Sequence, residues 1–492
     1  MAGMSFIESK SNSVTGSGDK LKSYEPNFRY LSYLTNDCND SVSGSESISR
    51  QLAYMGRLGW TYDNRYMLQF NFRADAFDTS KLSAKNRWGY FPSVSAGWTI
   101  SNEEFMSGIS RDVLSFLKLR ASWGQNGNVS VLSGYPYTAT IGIGGSSVFW
   151  STGESLTFGS APSKLANPNL HWETSTQYDF GIDARFFKDR LTVTLDYYDK
   201  RTSGLLVNTT PVMETGLSSV TLNAGNVLNQ GFEAELTWKD AIGDFAYSVS
   251  GNISTLKNKV TYLDPSITRI GGTGFFDYTW TYFEVGYPVW YMRGYKFTGV
   301  DSATGQPQFA DYDGDGQINS ADAAWDLGCA IPDFTYGITL NMAWKNFDLV
   351  VFGTGTYGNE IVSCLHRIDR PMNNNLSLYY TNRWTESNKN TNYPKPGSNF
   401  ETEYWHSSAC VFDGSFFKIK QIQLGYSVPV NLLRKIAMST ARFYVSLDDY
   451  FTLTSYPGFD PEASSGSTSA MGMDKGSFPP SKKLVFGVNL AF

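Results

Sequence analysis

Apolar and polar side chains alternate along most of this chain, in segments of about ten residues. In "RYMLQFNFRAD", residues 65 to 75, Tyr66, Leu68, Phe70 and Phe72 fall on one set of positions. Met67, Gln69, Asn71, Arg73 and Asp75 fall on the other. A period of two places the two sets on opposite faces of a β-strand. The segment before it repeats the pattern with Leu58, Trp60 and Tyr62, and Asp63-Asn64 between them predicts a tight hairpin turn. "GIDARFFKDRLTVTLDYYDK" turns in the same way at Lys188-Asp189, and "GITLNMAWKNFDLVVF" turns at Lys345-Asn346. Read this way, the chain holds about fourteen antiparallel strands and almost no helix beyond a turn or two in "NLLRKIAMS".

The connections alternate as well. Short turns join one end of the strand pairs, and long Gly/Ser/Asn-rich excursions join the other, at 125 to 175, 201 to 230, 258 to 288, 301 to 332 and 359 to 414. That asymmetry is expected of a transmembrane β-barrel with short periplasmic turns and long extracellular loops. Rings gather near strand ends, as in "RWGYFPSVSAGW" and "GTGTYGN", and fit aromatic girdles at two lipid–water boundaries. The last strand, "KKLVFGVNLAF", carries Leu484, Phe486, Val488, Leu490 and Phe492 on one face. The alternative for the same pattern is a secreted β-sandwich or propeller whose apolar face packs on a second sheet.

Composition leans the same way. Aromatic residues make up 15% of the 492 and charged residues only 17%, which suits β-structure with many interfacial rings. The formal net charge of −6 offers no basic patch for nucleic acid. Cys38, Cys329, Cys364 and Cys410 are scattered without a CxxC spacing, so neither a zinc site nor a disulfide framework follows. No run reaches the roughly 18 apolar residues of a membrane-spanning helix, and the first twenty residues lack a secretory-signal pattern.

Several segments resemble the SusC/RagA family of TonB-linked outer-membrane proteins. "NRWGYFPSVSAGWTISNEEFM" followed by "LKLRASWGQNGN" carries the resemblance, as does "ANPNLHWETSTQYDFGIDARFF", with Asn167, Pro168, Leu170, Trp172 and Glu173 at the family-typical positions. "NAGNVLNQGFEAEL", "DYDGDGQINSAD", "IKQIQLGYSVP" and "GFDPE" continue it in family order, over nearly the whole chain. A departure is Ala76 in "RADAFD", where the family pattern has glycine. The resemblance implies a partial all-β antiparallel transmembrane barrel in the outer membrane of a Gram-negative cell. Residues 1–492 would be the carboxy-terminal portion of a TonB-dependent receptor barrel of twenty-two strands, without plug domain, TonB box or signal peptide. It further implies import of oligosaccharides, or of peptides, with a SusD-like surface lipoprotein and energy from TonB-ExbB-ExbD. Outer-membrane lipid would be a partner and nucleic acid would not. Such a chain alone is expected not to transport. The competing readings are a secreted, calcium-stiffened β-sandwich binding protein or adhesin, and an inactive gene remnant.

Candidate chemistry is sparse. In "DYDGDGQINSAD", Asp311, Asp313 and Asp315 occupy positions 1, 3 and 5 of a calcium-loop pattern. Gly316 permits the turn, the Gln317 carbonyl is the next oxygen, and Asp322 closes the run. The expected cofactor is a structural Ca2+, against the alternative of a plain Asp/Gly turn. Asp322 is shorter than the usual glutamate, and Gly305 and Pro307 upstream argue against an entering helix. "GTGTYG" fits a dinucleotide fingerprint only on paper, because no βαβ unit surrounds it. His171, His366 and His406 sit in no nucleophile-and-base motif, so an enzyme is not expected. Trp172-Glu173 would serve saccharide stacking or cap a strand.

Overall fold

The computed structural model describes all residues except 36, 133, 144–148, 153, 154, 159, 163, 210–215, 218, 219, 276, 277, 366–376, 435–437 and 463–466. One large antiparallel sheet dominates it, with fourteen strands ordered along the sheet as they are along the chain. They are β1 (Ala2–Ser17), β2 (Ser41–Tyr62), β3 (Tyr66–Phe77), β4 (Trp88–Trp98), β5 (Leu114–Asn128), β6 (Glu173–Phe186) and β7 (Leu191–Thr209). Then follow β8 (Val220–Ile242), β9 (Phe245–Thr255), β10 (Phe334–Trp344), β11 (Phe347–Tyr357), β12 (Phe416–Ser427), β13 (Thr440–Thr454) and β14 (Lys483–Ala491). A fifteenth strand, Lys257–Leu263, extends the line of β9 and also pairs with β8. Among the described residues β1 pairs only with β2 and β14 only with β13.

The sheet is built inside out relative to a soluble sandwich. Leu58, Phe70, Val94, Phe180, Phe232, Leu236 and Phe486 are exposed on its outer face. The opposite face is polar and internally bonded: Arg57 Nε donates to Asn71 Oδ1 at 3.0 Å, and Asn71 Nδ2 to Ser93 Oγ at 3.1 Å. No second sheet covers the outer apolar face among the described residues, which excludes the sandwich alternative. Aromatic pairs bracket the apolar band. Trp88 stacks on Tyr54 near one end of β4, and Trp98 on Tyr66 at the other. The strand between them spans roughly 33 Å, or roughly 25 Å of membrane depth at a 40° tilt, the height of an outer-membrane apolar band.

The three predicted hairpins form where expected. Asp63 and Asn64 both adopt positive φ, 49° and 51°, as a type I′ turn requires, and Lys188, Asp189 and Lys345 also lie in this region. Three predicted excursions differ. Residues 201 to 230 are largely strand: β7 and β8 continue through them, and register shifts at Thr202/Leu205 and Leu205/Leu206 interrupt the period-two pattern. The excursions at 258 to 288 and 301 to 332 belong to a single connection, 264–333, in which short strands such as Tyr291–Gly294 pair within the loop. The helical turn predicted in "NLLRKIAMS" appears at Val430–Leu433.

Register and charge reinforce the wall. Gly181 on β6 lies between Arg120 of β5 and Asp196 of β7, and a Cβ there would strike both side chains. Its absence lets Arg120 reach across a strand to Asp196 at 2.9 Å while holding Asp183 at 2.8 Å. On β11, Gly353 and Gly355 leave room for Phe417 and Tyr336, whose rings stack at 5.8 Å. "GTGTYG" is thus a glycine-lightened strand end under aromatic rings, with no phosphate-binding turn.

The face assignment has a direct test. Phe70, 46% exposed on the outer face, should not tolerate Phe70→Arg, because a mid-plane arginine costs about 2–4 kcal/mol. Asn71→Arg adds a cation to the polar wall and should be tolerated. Outer-membrane yields of the two variants, read by heat-modifiable gel mobility, should differ several-fold. Equal yields would contradict the faces.

Candidate functional site: inner wall and loop platform

The long connections fold onto one end of the sheet and build their own apolar core. Trp280, Met292, Val362, Tyr404, Cys410 and Met473 pack together from connections 264–333, 358–415 and 455–482. A small three-stranded sheet (Glu360–Ser363 with Val411–Asp413 and Met473–Asp474) ties the last two together. His406 is buried at its centre, stacked on Tyr278 at 4.5 Å and edge-on to Trp280, with Nε2 donating to the Thr279 carbonyl. Burial pushes the imidazole down to about 4, so it stays neutral and acts as packing. His171 bonds locally through Nδ1 to the Asn169 carbonyl, and His366 lies outside the described residues.

Trp172 settles on packing. It is buried against Phe77 and Phe91, and its Nε1 donates to the Arg87 carbonyl at 3.1 Å. Leu170 is fully buried beside it, Asn167 Nδ2 donates to the Thr221 carbonyl, and Asn86 Nδ2 donates to the Leu170 carbonyl. The Asn-Pro-x-Leu-x-Trp segment is therefore a staple that fastens connections 78–87 and 129–172 to the end of β8.

A second fastening was not read from the sequence. Lys418 on β12 is 1% exposed, and its Nζ meets Asp460 at 2.8 Å and Glu462 at 2.5 Å. Lys420 Nζ reaches the same Glu462 oxygen at 2.5 Å. Between Ile419 and Gln421 the register against β13 slips, so a bulge re-aims this part of the strand. "KIKQ", residues 418 to 421, and "GFDPE" each carried half of the latch; the signal was a lysine in an apolar strand and two carboxylates about forty residues on.

The predicted calcium-loop residues divide. Carboxylate oxygens of Asp311, Asp313 and Asp315 lie within 4.8 Å of one another. Asp311 accepts from the backbone N–H of Gly314 and Gly316, which hold its carboxyl below the usual carboxylate range. Gln317 is exposed, and its N–H donates to Asp315 Oδ1. Asp322 is fully buried and turns both oxygens to backbone N–H groups, of Tyr312 at 2.6 Å and Asn319 at 2.8 Å. With Asn319 it forms a capping box on the Ser320–Asp322 turn. A short strand, Pro307–Phe309, leads in, so no helix enters the loop.

Below the platform, the inner wall is cut by a groove of about 670 Å³ across β2 to β6. Asn71, Arg73, Asp75, Ser93, Asn126 and Gln177 are among its lining residues. Arg73 and Asp75 close on each other through two hydrogen bonds of 2.7 and 2.9 Å. Lys118, Arg120, Ser122 and Asn126 of "LKLRASWGQNGN" share one set of alternate positions, but nothing in the sequence distinguished that set from an ordinary solvated face.

An apolar-out, polar-in antiparallel sheet with girdles and one-sided loops defines an outer-membrane β-barrel protein. A family profile described as TonB dependent receptor-like, beta-barrel matches residues 10–384, and the chain belongs to that family of outer-membrane proteins. It is 31% identical over 468 residues to TonB-dependent receptor P3 of Formosa agariphila, covering 90% of this chain and 45% of that protein. It is 28% identical over 463 residues to the TonB-dependent receptor SusC of Bacteroides thetaiotaomicron, covering 90% of this chain and 44% of that one. The chain spans about half the length of the curated relatives it matches. In fold it superposes on a chain of the RagAB peptide transporter with a TM-score of 0.82 at 24% identity, covering 100% of this chain and 53% of that one.

The latch makes a quantitative prediction. Lys418→Ala strands Asp460 without its buried cation, a loss of roughly 3–5 kcal/mol, while Glu462 keeps Lys420. Connection 455–482 should then become the first site of limited proteolysis in intact outer membranes, with the sheet itself resistant. Unchanged cleavage would show that the platform does not depend on the latch.

Proposed function

We propose that this chain supplies the barrel wall of a SusC-like active importer in the outer membrane, and that it is a transporter and no enzyme. The observation that carries the reading is the polar inner wall beneath a packed loop platform. The wall gives a hydrated path through the membrane, and the platform gives rigid loops on which a surface partner can sit. The plug and the segment that contacts TonB come from outside this stretch of chain. The importer works with a SusD-like surface lipoprotein, draws energy through TonB-ExbB-ExbD, and takes up oligosaccharides, with peptides as the other substrate class. The peptide class has precedent among the similar proteins in RagAB, described as a peptide transporter.

The test is genetic. Deleting the gene should abolish uptake of one fluorescently tagged class, oligosaccharide or peptide, and loss of TonB should give the same defect. Uptake that persists without the gene, or that ignores TonB, would overturn the reading.

For loop 311–322 we propose a structural Ca2+ held by Asp311, Asp313 and Asp315 with the Gln317 carbonyl. Asp322 acts from behind as the cap that shapes the loop. Three carboxylates within 4.8 Å of one another repel, and a divalent cation relieves this. Calorimetric titration of the protein should detect calcium binding that Asp313→Ala abolishes, with no change in the sheet's circular dichroism. Absence of binding would reduce the loop to a turn.

A further inference from the structure

We propose that the outer face of the sheet seats one glycerophospholipid of the leaflet at its short-turn end, with an acyl chain held in a trough across β2 to β8. The proposal rests on the lipid-facing assignment of that face and not on what the barrel carries. Three observations carry it.

The first is shape. A hollow of about 870 Å³ with an almost wholly apolar lining cuts the outer face. Trp60, Leu68, Ala96, Ala121, Phe180 and Phe232 line it in one cross-strand row, with Tyr197 between the last two. Ala96 and Ala121 are direct partners and make the floor, and their neighbours Leu68 and Phe180 stand above it as walls. The row reaches from β2 to β8, roughly 29 Å at about 4.8 Å per strand, long enough to take an acyl chain lengthwise. Lipid tails are as apolar as this wall, so apolarity alone gives a lipid no reason to stay. Shape does. A tail against a flat face touches protein on one side, whereas a tail in the trough touches the floor and both walls, and an unfilled trough forfeits those contacts.

The second is rigidity. Arg120, Gly181 and Asp196 lie on the inner face, each next in the chain to a trough residue: Ala121, Phe180 and Tyr197. The Arg120 clamp on Asp183 and Asp196 therefore fixes β5, β6 and β7 directly behind the floor and far wall. Beyond it the Phe232 ring rests on Tyr197 at 4.9 Å. A trough formed in advance needs little further ordering when a chain enters.

The third is place. The trough's rim is Tyr66, the first residue of β3, and Trp98, the last of β4, stacked at 6.5 Å. Trp98 Nε1 donates to Glu103 Oε1 at 2.8 Å, and Trp60 stacks on Tyr62 at 5.8 Å, so the rim is pinned on both sides. Such rings sit at headgroup level, and the turn at Asp63-Asn64 puts them on the short-turn, periplasmic side. The leaflet there is built of glycerophospholipid. Its headgroup and glycerol would lie at the ring rim and one tail in the trough.

The experiment uses the complete receptor purified from outer membranes into a mild detergent and read by native mass spectrometry. The probe is dioleoylphosphatidylethanolamine, added after endogenous lipid is stripped. The unaltered receptor should carry a phospholipid as purified and rebind the probe. Ala96→Leu with Ala121→Leu fills the floor with apolar groups that lipid tolerates, and should weaken rebinding about fivefold or more. Ile338→Ala, in register with outer-face Leu236 through Gly251 but outside the trough, should rebind as the unaltered receptor does. Should the filled variant fail to insert, judged by heat-modifiable mobility, Phe180→Ala decides: it removes one wall and should weaken rebinding several-fold. No retained phospholipid, equal rebinding in the trough variants, or an equal loss in Ile338→Ala would overturn the site. Lipopolysaccharide held in place of phospholipid would overturn the leaflet. A receptor dimer that the filled variant abolishes would assign the trough to a second copy and overturn the lipid. Normal uptake by a variant that has lost the phospholipid leaves the transport reading untouched and still supports the site.

Discussion

A backbone amide inside hydrocarbon has no water to bond, and each one left unpaired costs several kcal/mol. The rest of this structure follows from that constraint. Fourteen strands pair in chain order, so nearly every membrane-buried N–H and C=O in β2 to β13 meets a neighbour on both sides. The same constraint marks the outer edges of β1 and β14, each with one neighbour among the described residues, as the places where a closing contact must form. Once the ladder faces lipid on one side, the side chains have no further freedom. Apolar groups go outward, and polar groups go to a wall that must hold its own hydrogen bonds.

That wall explains features which look odd in a soluble protein. Exposed Phe70, Phe180 and Phe232 are solvated by lipid, while Arg120 is partly sheltered and paired with Asp183 and Asp196. Gly181 is needed because two of those partners meet across it. Beyond the membrane the logic returns to that of a water-soluble domain. The loops bury Trp280, Tyr404 and Met473 in a core of their own and fasten it to the strands with the Trp172 staple and the Lys418 latch.

Much of this was legible in the sequence because a period of two is a local signal. Strands, faces, hairpin turns at Asp63-Asn64 and Lys345-Asn346, and the sorting of long loops all follow from residues near one another in the chain. The platform was not legible, because its contacts are non-local and its strands are too short to alternate. Residues 201 to 230 misled for a related reason: the register of β7 against β8 shifts at Thr202/Leu205 and Leu205/Leu206, and the period is broken there. The acidic loop was legible as a motif, but the burial of Asp322 was not. Spacing alone does not reveal whether a carboxylate points at an ion or at a backbone N–H. Lys418 was hidden by a bulge, which shifts the face on which a residue lies without leaving a mark in the alternation.

The central claim is that one face of this sheet meets lipid and the other meets water. Single nitroxide labels placed in turn at residues 66 to 73 of β3, in outer-membrane vesicles, measure it directly through collision with oxygen and with a water-soluble nickel complex. Labels at 66, 68, 70 and 72 should be relaxed mainly by oxygen, labels at 67, 69, 71 and 73 mainly by nickel, in strict alternation. Labels at 66, 68, 70 and 72 shielded from both agents would mean that protein, not lipid, covers that face, and the account would be wrong.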